Sequence, residues 1–190
     1  MTVRISAIKP LIRAAAVAVA AAGVLTLSTA PAFADPTPTG APTSVSQAQL
    51  ERQQGWLKIY KGTAPTNADS VQLKVVTDGT IGQHVVDKDG RSLYRFDKDT
   101  AKPSVSNCSG DCATTWSPML VNRGQSLYVD GIDPVLTGFI ERADGTCQLT
   151  VGGWPVYYFS KDKKAGDLLG QGVGGTWFAV APNGGKALAK

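Results

Sequence analysis

The chain has 190 residues, with 19 Lys and Arg against 15 Asp and Glu, one histidine, three cysteines and a mean hydropathy of −0.05. Three of its cations, Arg4, Lys9 and Arg13, precede the first acidic residue, Asp35; beyond Ala34 the balance is 16 to 15, so the pI of 9.0 owes much to the N-terminal segment. That near-neutral remainder argues against nucleic acid, which calls for a basic patch or stripe, and a single imidazole excludes metal sites that need two, blue copper among them.

The apolar run Ala14–Leu27 follows the cations and leads to Ala32-Phe33-Ala34. Positive segment, short apolar run and A-x-A site together predict a secretory signal peptide over 1–34, cleaved to leave Asp35. The run is shorter than the roughly 20 apolar residues that span a bilayer, so no membrane span is expected. No cysteine near the cleavage site offers a point for lipidation, and no Arg-Arg pair points to twin-arginine export. The expected location is secreted, extracellular.

Residues 35–55 read as a linker. Asp35–Thr43 (DPTPTGAPT) is a flexible tether by composition, and Ser44–Gln54 is a short helix if Ser46 caps it with Gln49 three residues on. From residue 56 to 190 the texture changes to short alternating runs broken by Gly, Asp and Asn, which predict strands. Trp56–Lys61, Val71–Thr77, His84–Asp87 and Ser92–Asp97 form a first group, with a turn at Asp87–Gly90. Asp133-Pro134 predicts a helical turn through Leu136. Phe139–Arg142, Thr146–Val151, Val156–Ser160 and Thr176–Val180 form a second group, turned at Asp144-Gly145 and Gly152-Gly153. No segment sustains a 3.6-residue apolar period.

The two groups repeat one another. Leu93-Tyr94-Arg95-Phe96-Asp97-Lys98-Asp99 aligns with Val156-Tyr157-Tyr158-Phe159-Ser160-Lys161-Asp162, and each is followed by a tryptophan, Trp116 or Trp177. The expected fold is all-β: two pseudo-repeated antiparallel β units, about 80–120 and 138–182, packed as one domain behind a flexible N-terminal tail. One such unit is too small to bury both its faces alone.

The doubled Tyr-x-Phe-x-x-Asp, the segment CSGDCATTWSP (Cys108–Pro118) and GWPVYYFSKD followed by GDLLGQGVGGTWFAV resemble a bacterial secreted-repeat family of predicted lipoproteins and exported proteins, named for a Tyr-x-(Phe/Trp/Tyr)-x-x-Asp motif. The resemblance covers about 80–180. It implies an extracytoplasmic, envelope-associated protein and supplies no settled activity. This sequence lacks the lipidatable cysteine of lipoprotein members, so anchoring does not carry over.

In a strand, Tyr94 and Phe96 share one face and Leu93 takes the other; Tyr157, Phe159 and Val156 repeat the pattern. The residues expected to matter are thus Tyr94, Phe96, Asp99, Tyr157, Phe159, Asp162, Trp116 and Trp177. They read either as a paired aromatic core with loop-closing aspartates, which buried aromatics at strand period favour, or as an open aromatic groove. Cys108 and Cys112 are expected to be bridged in an oxidising compartment, with Cys147 a buried thiol; a Cys147 bridge to either partner stays open, since three cysteines allow three pairings.

No cofactor is expected. His84 with Cys108, Cys112 and Met119 is the sole candidate set for copper or haem iron, and its spacing matches no known motif. Asp87–Gly90 begins like a calcium loop but lacks the closing glutamate. Gly170-x-Gly172-x-x-Gly175 is followed by a strand, not the helix a dinucleotide fingerprint opens; its glycines are expected to let the backbone pass under Trp177. There is no G-x-S-x-G elbow. Asp97, Asp99, Asp162 and Asp167 near the repeat ends leave a glycosidase-like carboxylate pair open. The expected function is that of an exported non-enzymatic protein binding an envelope or extracellular partner. Its alternative is an extracytoplasmic redox or metal/haem-handling protein.

Overall fold

The computed structural model describes residues 48–188. The expected signal peptide and most of the expected linker lie outside them. Fourteen strands run in chain order among the described residues: β1 (Gln49–Gln54), β2 (Leu57–Lys61), β3 (Ser70–Asp78), β4 (Gly82–Asp87), β5 (Tyr94–Phe96), β6 (Thr100–Ala101), β7 (Ser104–Val105), β8 (Trp116–Pro118), β9 (Ser126–Asp130), β10 (Thr137–Glu141), β11 (Cys147–Val151), β12 (Trp154–Pro155), β13 (Tyr157–Phe159) and β14 (Trp177–Ala179). The one α-helix among them, α1, is a single turn at Asp111–Thr115, and a 3₁₀ turn at Pro134–Leu136 starts where Asp133 accepts from the Val135 amide. The fold is all-β.

The short helix expected through Gln54 is corrected: Gln49–Gln54 is a strand, joined to β2 by a two-residue turn at Gly55-Trp56. Gly55 sits at φ +55°, where glycine carries no Cβ penalty. An edge strand whose one apolar residue is the exposed Leu50 shows no apolar alternation, and the capping pattern was the only local signal left. The β structure therefore starts ahead of residue 56.

Five strands form the larger sheet, in the order β1-β2-β9-β3-β4. Strand β9 was not expected. It inserts between β2 and β3 and runs parallel to both, so the sheet is mixed rather than purely antiparallel. Parallel strands need a crossover. Here the chain returns from β2 to β3 along the outer face of the sheet, where the Gln72 side chain accepts from the Ala64 amide (2.7 Å). The inner face follows period 2: Leu57 and Ile59, Leu127 and Val129, Leu73 and Val85 are fully buried. They pack on Leu149 and Val151 of β11 and on Leu93, Met119 and Val156. Each such aliphatic contributes about 1.5–3 kcal/mol by leaving water.

The smaller core is aromatic. It lies on a four-stranded sheet of order β14-β5-β13-β8 and gathers Tyr94, Phe96, Trp116, Tyr157, Phe159 and Trp177. Leu93 and Val156 belong to the larger cluster while their neighbours Tyr94 and Tyr157 belong to this one, as strand alternation requires.

Candidate functional site

The four-stranded sheet alternates between the two copies. Its central strands, β5 and β13, place Tyr94 directly opposite Tyr157. On one side β14, from the second copy, pairs with β5, so that Trp177 faces Phe96 and Ala179 faces Tyr94. On the other side β8, from the first copy, pairs with β13, so that Trp116 faces Phe159 and Pro118 faces Tyr157. Each copy thus completes the other's half of the sheet.

Backbone bonds around this sheet repeat the exchange. Leu93 N–H donates to Val85, Val85 to Val180 and Val180 to Leu93; Val156 donates to Leu149, Leu149 to Met119 and Met119 to Val156. Residues equivalent in sequence occupy equivalent places in both rings. The units do not stand as separate bodies; their final strands are swapped.

The aromatic side chains obey the same pseudo-symmetry. Phe96 stacks on Trp177 (4.1 Å between centroids), Trp177 on Trp116 (3.9 Å, 1° between planes) and Trp116 on Phe159 (4.2 Å). Tyr94 meets Trp116 edge-on at 5.4 Å, and Tyr157 meets Trp177 edge-on at 5.2 Å. Offset and edge-to-face contacts of this kind add about 0.5–1.5 kcal/mol each beyond area burial.

The motif aspartates serve the opposite copy as well as their own. Tyr94 Oη donates to Asp162 Oδ2 at 2.6 Å, and Tyr157 Oη donates to Asp99 Oδ2 at 2.7 Å. The other carboxylate oxygens close the loops of their own copies, Asp99 Oδ1 accepting from the Asn107 amide (2.7 Å) and Asp162 Oδ1 from the Leu169 amide (3.0 Å). Burial pushes the Tyr94 phenol far above its ordinary value, and the Asp162 carboxylate beside it adds to the shift. Burial likewise raises Tyr157 and lifts Asp99; for Asp99 the Asn107 amide, the Tyr157 hydroxyl and the Arg142 guanidinium pull the other way. All eight motif residues are buried, none more than 8 % exposed.

The copies differ in the segment C-terminal to each aspartate. In the first, Cys108 and Cys112 are bridged, and Cys147 is a buried free thiol. Arg142 Nη1 donates to Ser106 Oγ (2.7 Å) and Gln148 Oε1 (2.6 Å), and Nη2 to the Cys108 carbonyl (2.7 Å). With the Tyr157 proton committed to Asp99, Ser106 Oγ donates to Tyr157 Oη at 2.8 Å. In the second copy the Gly170 amide takes that place, donating to Tyr94 Oη at 3.3 Å. A Cβ on Gly170 would come within 2.7 Å of the Tyr94 ring and 2.9 Å of Trp116. The glycine-rich segment therefore passes against Tyr94 and Trp116, not under Trp177 as expected.

Arg142, Ser106 and Gln148 were not singled out in the sequence. A lone cation ending an apolar strand ahead of Asp144-Gly145 is the only trace they leave. They stand beside an open cleft of about 480 Å³ between Ser104–Gly110 and Ile140–Asp144. A larger groove of about 620 Å³ between the β3–β4 turn and Ala181–Leu188 holds none of the motif residues.

The remaining candidates are dispersed. His84 is buried with neither ring nitrogen hydrogen-bonded, and burial holds its pKa below the ordinary value. Met119 belongs to the aliphatic cluster and Cys108 to the aromatic one, while the two cysteines are bonded to each other. Among the described residues no group of three His, Cys, Asp or Glu lies close enough to hold a metal. Asp97 pairs with Arg95 and Lys186, and Asp167 accepts from the Lys163 and Lys164 amides. No helix among the described residues is long and apolar enough to cross a membrane.

Residues 75–119 and 138–181 both match the family described as a secreted repeat of unknown function. No curated protein and no solved structure matches the chain. The chain carries two copies of this repeat and belongs to that secreted-repeat family.

Proposed function

We propose that this two-copy member of the secreted-repeat family is an exported, non-enzymatic module that binds a cell-envelope or extracellular partner through loops carried on the repeat scaffold, its mature chain beginning at Asp35. One observation carries the reading: the Tyr-x-Phe-x-x-Asp residues are buried and commit their polar atoms to one another and to neighbouring groups of their own loops, so they shape the scaffold and leave recognition to the surface. The cleft between Ser104–Gly110 and Ile140–Asp144 is the favoured surface. Its hydroxyls, the Glu141 and Asp144 carboxylates and the apolar Val105 and Ile140 suit a neutral or cationic polar ligand. Arg142 at its edge is already committed to three acceptors and holds the cleft's two walls together.

Co-sedimentation of purified residues 35–190 with the insoluble envelope fraction of the producing cells tests this. Binding is expected to be lost in Ser109→Trp and Glu141→Lys, which obstruct or reverse the cleft, and retained in the scaffold variant Asp162→Asn. Wild-type protein that stays in the supernatant, or cleft variants that sediment as wild type does, would contradict it.

A further inference from the structure

Scaffold duty explains why the aromatic residues are buried. Loop closure accounts for one oxygen of each motif aspartate; it does not by itself call for a phenol on the other oxygen inside an aromatic core, where stripping a carboxylate of water is costly. The arrangement of rings and acids has a chemistry of its own. Trp116 and Trp177 lie plane to plane at 3.9 Å, close enough to share a positive hole. A phenol meets each indole edge-on, and each phenol has a proton acceptor within hydrogen-bond reach, at 2.6 and 2.7 Å.

We propose that this core is a one-electron relay, in which the Trp116–Trp177 pair passes an electron to an outer-sphere one-electron oxidant at the protein surface and Tyr94 then refills the pair. The oxidant, an oxidised metal complex or a peroxyl radical, gains one electron and leaves an indole radical cation. Tyr94 gives one electron to that indole and its hydroxyl proton to Asp162 Oδ2, breaking the phenolic O–H bond and forming a carboxylic O–H. The sum is one oxidant reduced and one phenoxyl radical formed beside a neutral Asp162. A one-electron reductant reverses it, and the proton returns along the same hydrogen bond. No proton crosses to solvent, so the step is compatible with a buried site.

The asymmetry of the copies chooses the tyrosine. Oxidation with internal proton transfer turns a tyrosine–aspartate pair from net negative to neutral, so a nearby cation opposes it. Arg142 reaches the Tyr157–Asp99 pair through Ser106, with distances of 2.7 and 2.8 Å. Tyr94–Asp162 has a backbone amide, from Gly170, in the corresponding place. The radical therefore settles on Tyr94, and Tyr157 is the lesser site.

The test uses secreted full-length mature protein and flash-generated tris(bipyridine)ruthenium(III) as oxidant, followed by transient absorption and freeze-quench electron paramagnetic resonance. Wild type with ring-deuterated tyrosine is expected to give an indole radical that converts to a phenoxyl radical. Tyr94→Phe should remove most of the phenoxyl signal and Tyr157→Phe little of it. Asp162→Asn should slow conversion about a hundredfold, the usual worth of a positioned base. Circular dichroism establishes that each variant is folded. Absence of a phenoxyl signal in wild type overturns the relay whatever the variants do. So does an equal yield in Tyr94→Phe, which would put the radical on another tyrosine, Tyr157 or the half-buried Tyr60 and Tyr158. Envelope binding plays no part in this readout, so the two proposals fail separately.

Discussion

Tyr94 bonds to the aspartate 68 positions onward in the other copy, and Tyr157 to the one 58 positions back. Neither uses the aspartate of its own motif. At this scale the alternation of the motif was legible, because Tyr94 and Phe96 on one face and Leu93 on the other is a local property of any strand. The pairing across copies was not, because a sequence names donor and acceptor without saying which two meet. Phe96→Ala and Phe159→Ala, each ending one side of the four-ring stack, are expected to cost about 3–5 kcal/mol, read from denaturant midpoints. Wild-type midpoints for both would sink the core reading. Asp99 has a folded pKa raised by burial, so the native state holds its proton where the unfolded chain has released it. Its contribution is then most favourable below the unfolded value, near 3.8, and is lost as pH rises through the folded value. Asp99→Asn should flatten that fall in stability above pH 3.8; an unchanged pH profile would show that Asp99 is not held in this way.

Strands carried by apolar alternation between turn residues were readable, and β3, β4, β10, β11, β13 and β14 lie where that pattern placed them. The readable pattern failed at β1, which has no apolar face, and at β9, a five-residue run whose partners β2 and β3 come from far upstream and lie parallel to it. Parallel register has no local turn to announce it. The Gly170 segment is a third case: G-x-G-x-x-G reads as flexibility, while the structure uses one glycine to bring backbone against two rings. Gly170→Ala should destabilise by about 1–3 kcal/mol, as overpacking does. Gly79→Ala, with nothing within 4 Å of its Cβ, should fall within about 0.5 kcal/mol of wild type. Equal melting shifts for the two would remove the close approach from the explanation.

At the scale of the molecule, duplication was visible in the sequence and interleaving was not. Two similar segments can stack, sit edge to edge or exchange strands, and nothing in their residues distinguishes these. The structure exchanges them, so that neither copy can finish its sheet, stack its tryptophan or satisfy its tyrosine without the other. Exposed loop residues, such as Ser109–Asp111 between the bridged cysteines, are then free to differ on a scaffold that holds itself together from within. Double-mutant cycles on stability test this exchange most directly, with Tyr→Phe and Asp→Asn at each motif position. The cross-copy pairs, Tyr94 with Asp162 and Tyr157 with Asp99, should show coupling of about 0.5–3 kcal/mol, while Tyr94 with Asp99 and Tyr157 with Asp162 should be additive. Coupling confined to the same-copy pairs, or equal in all four cycles, would contradict the strand exchange.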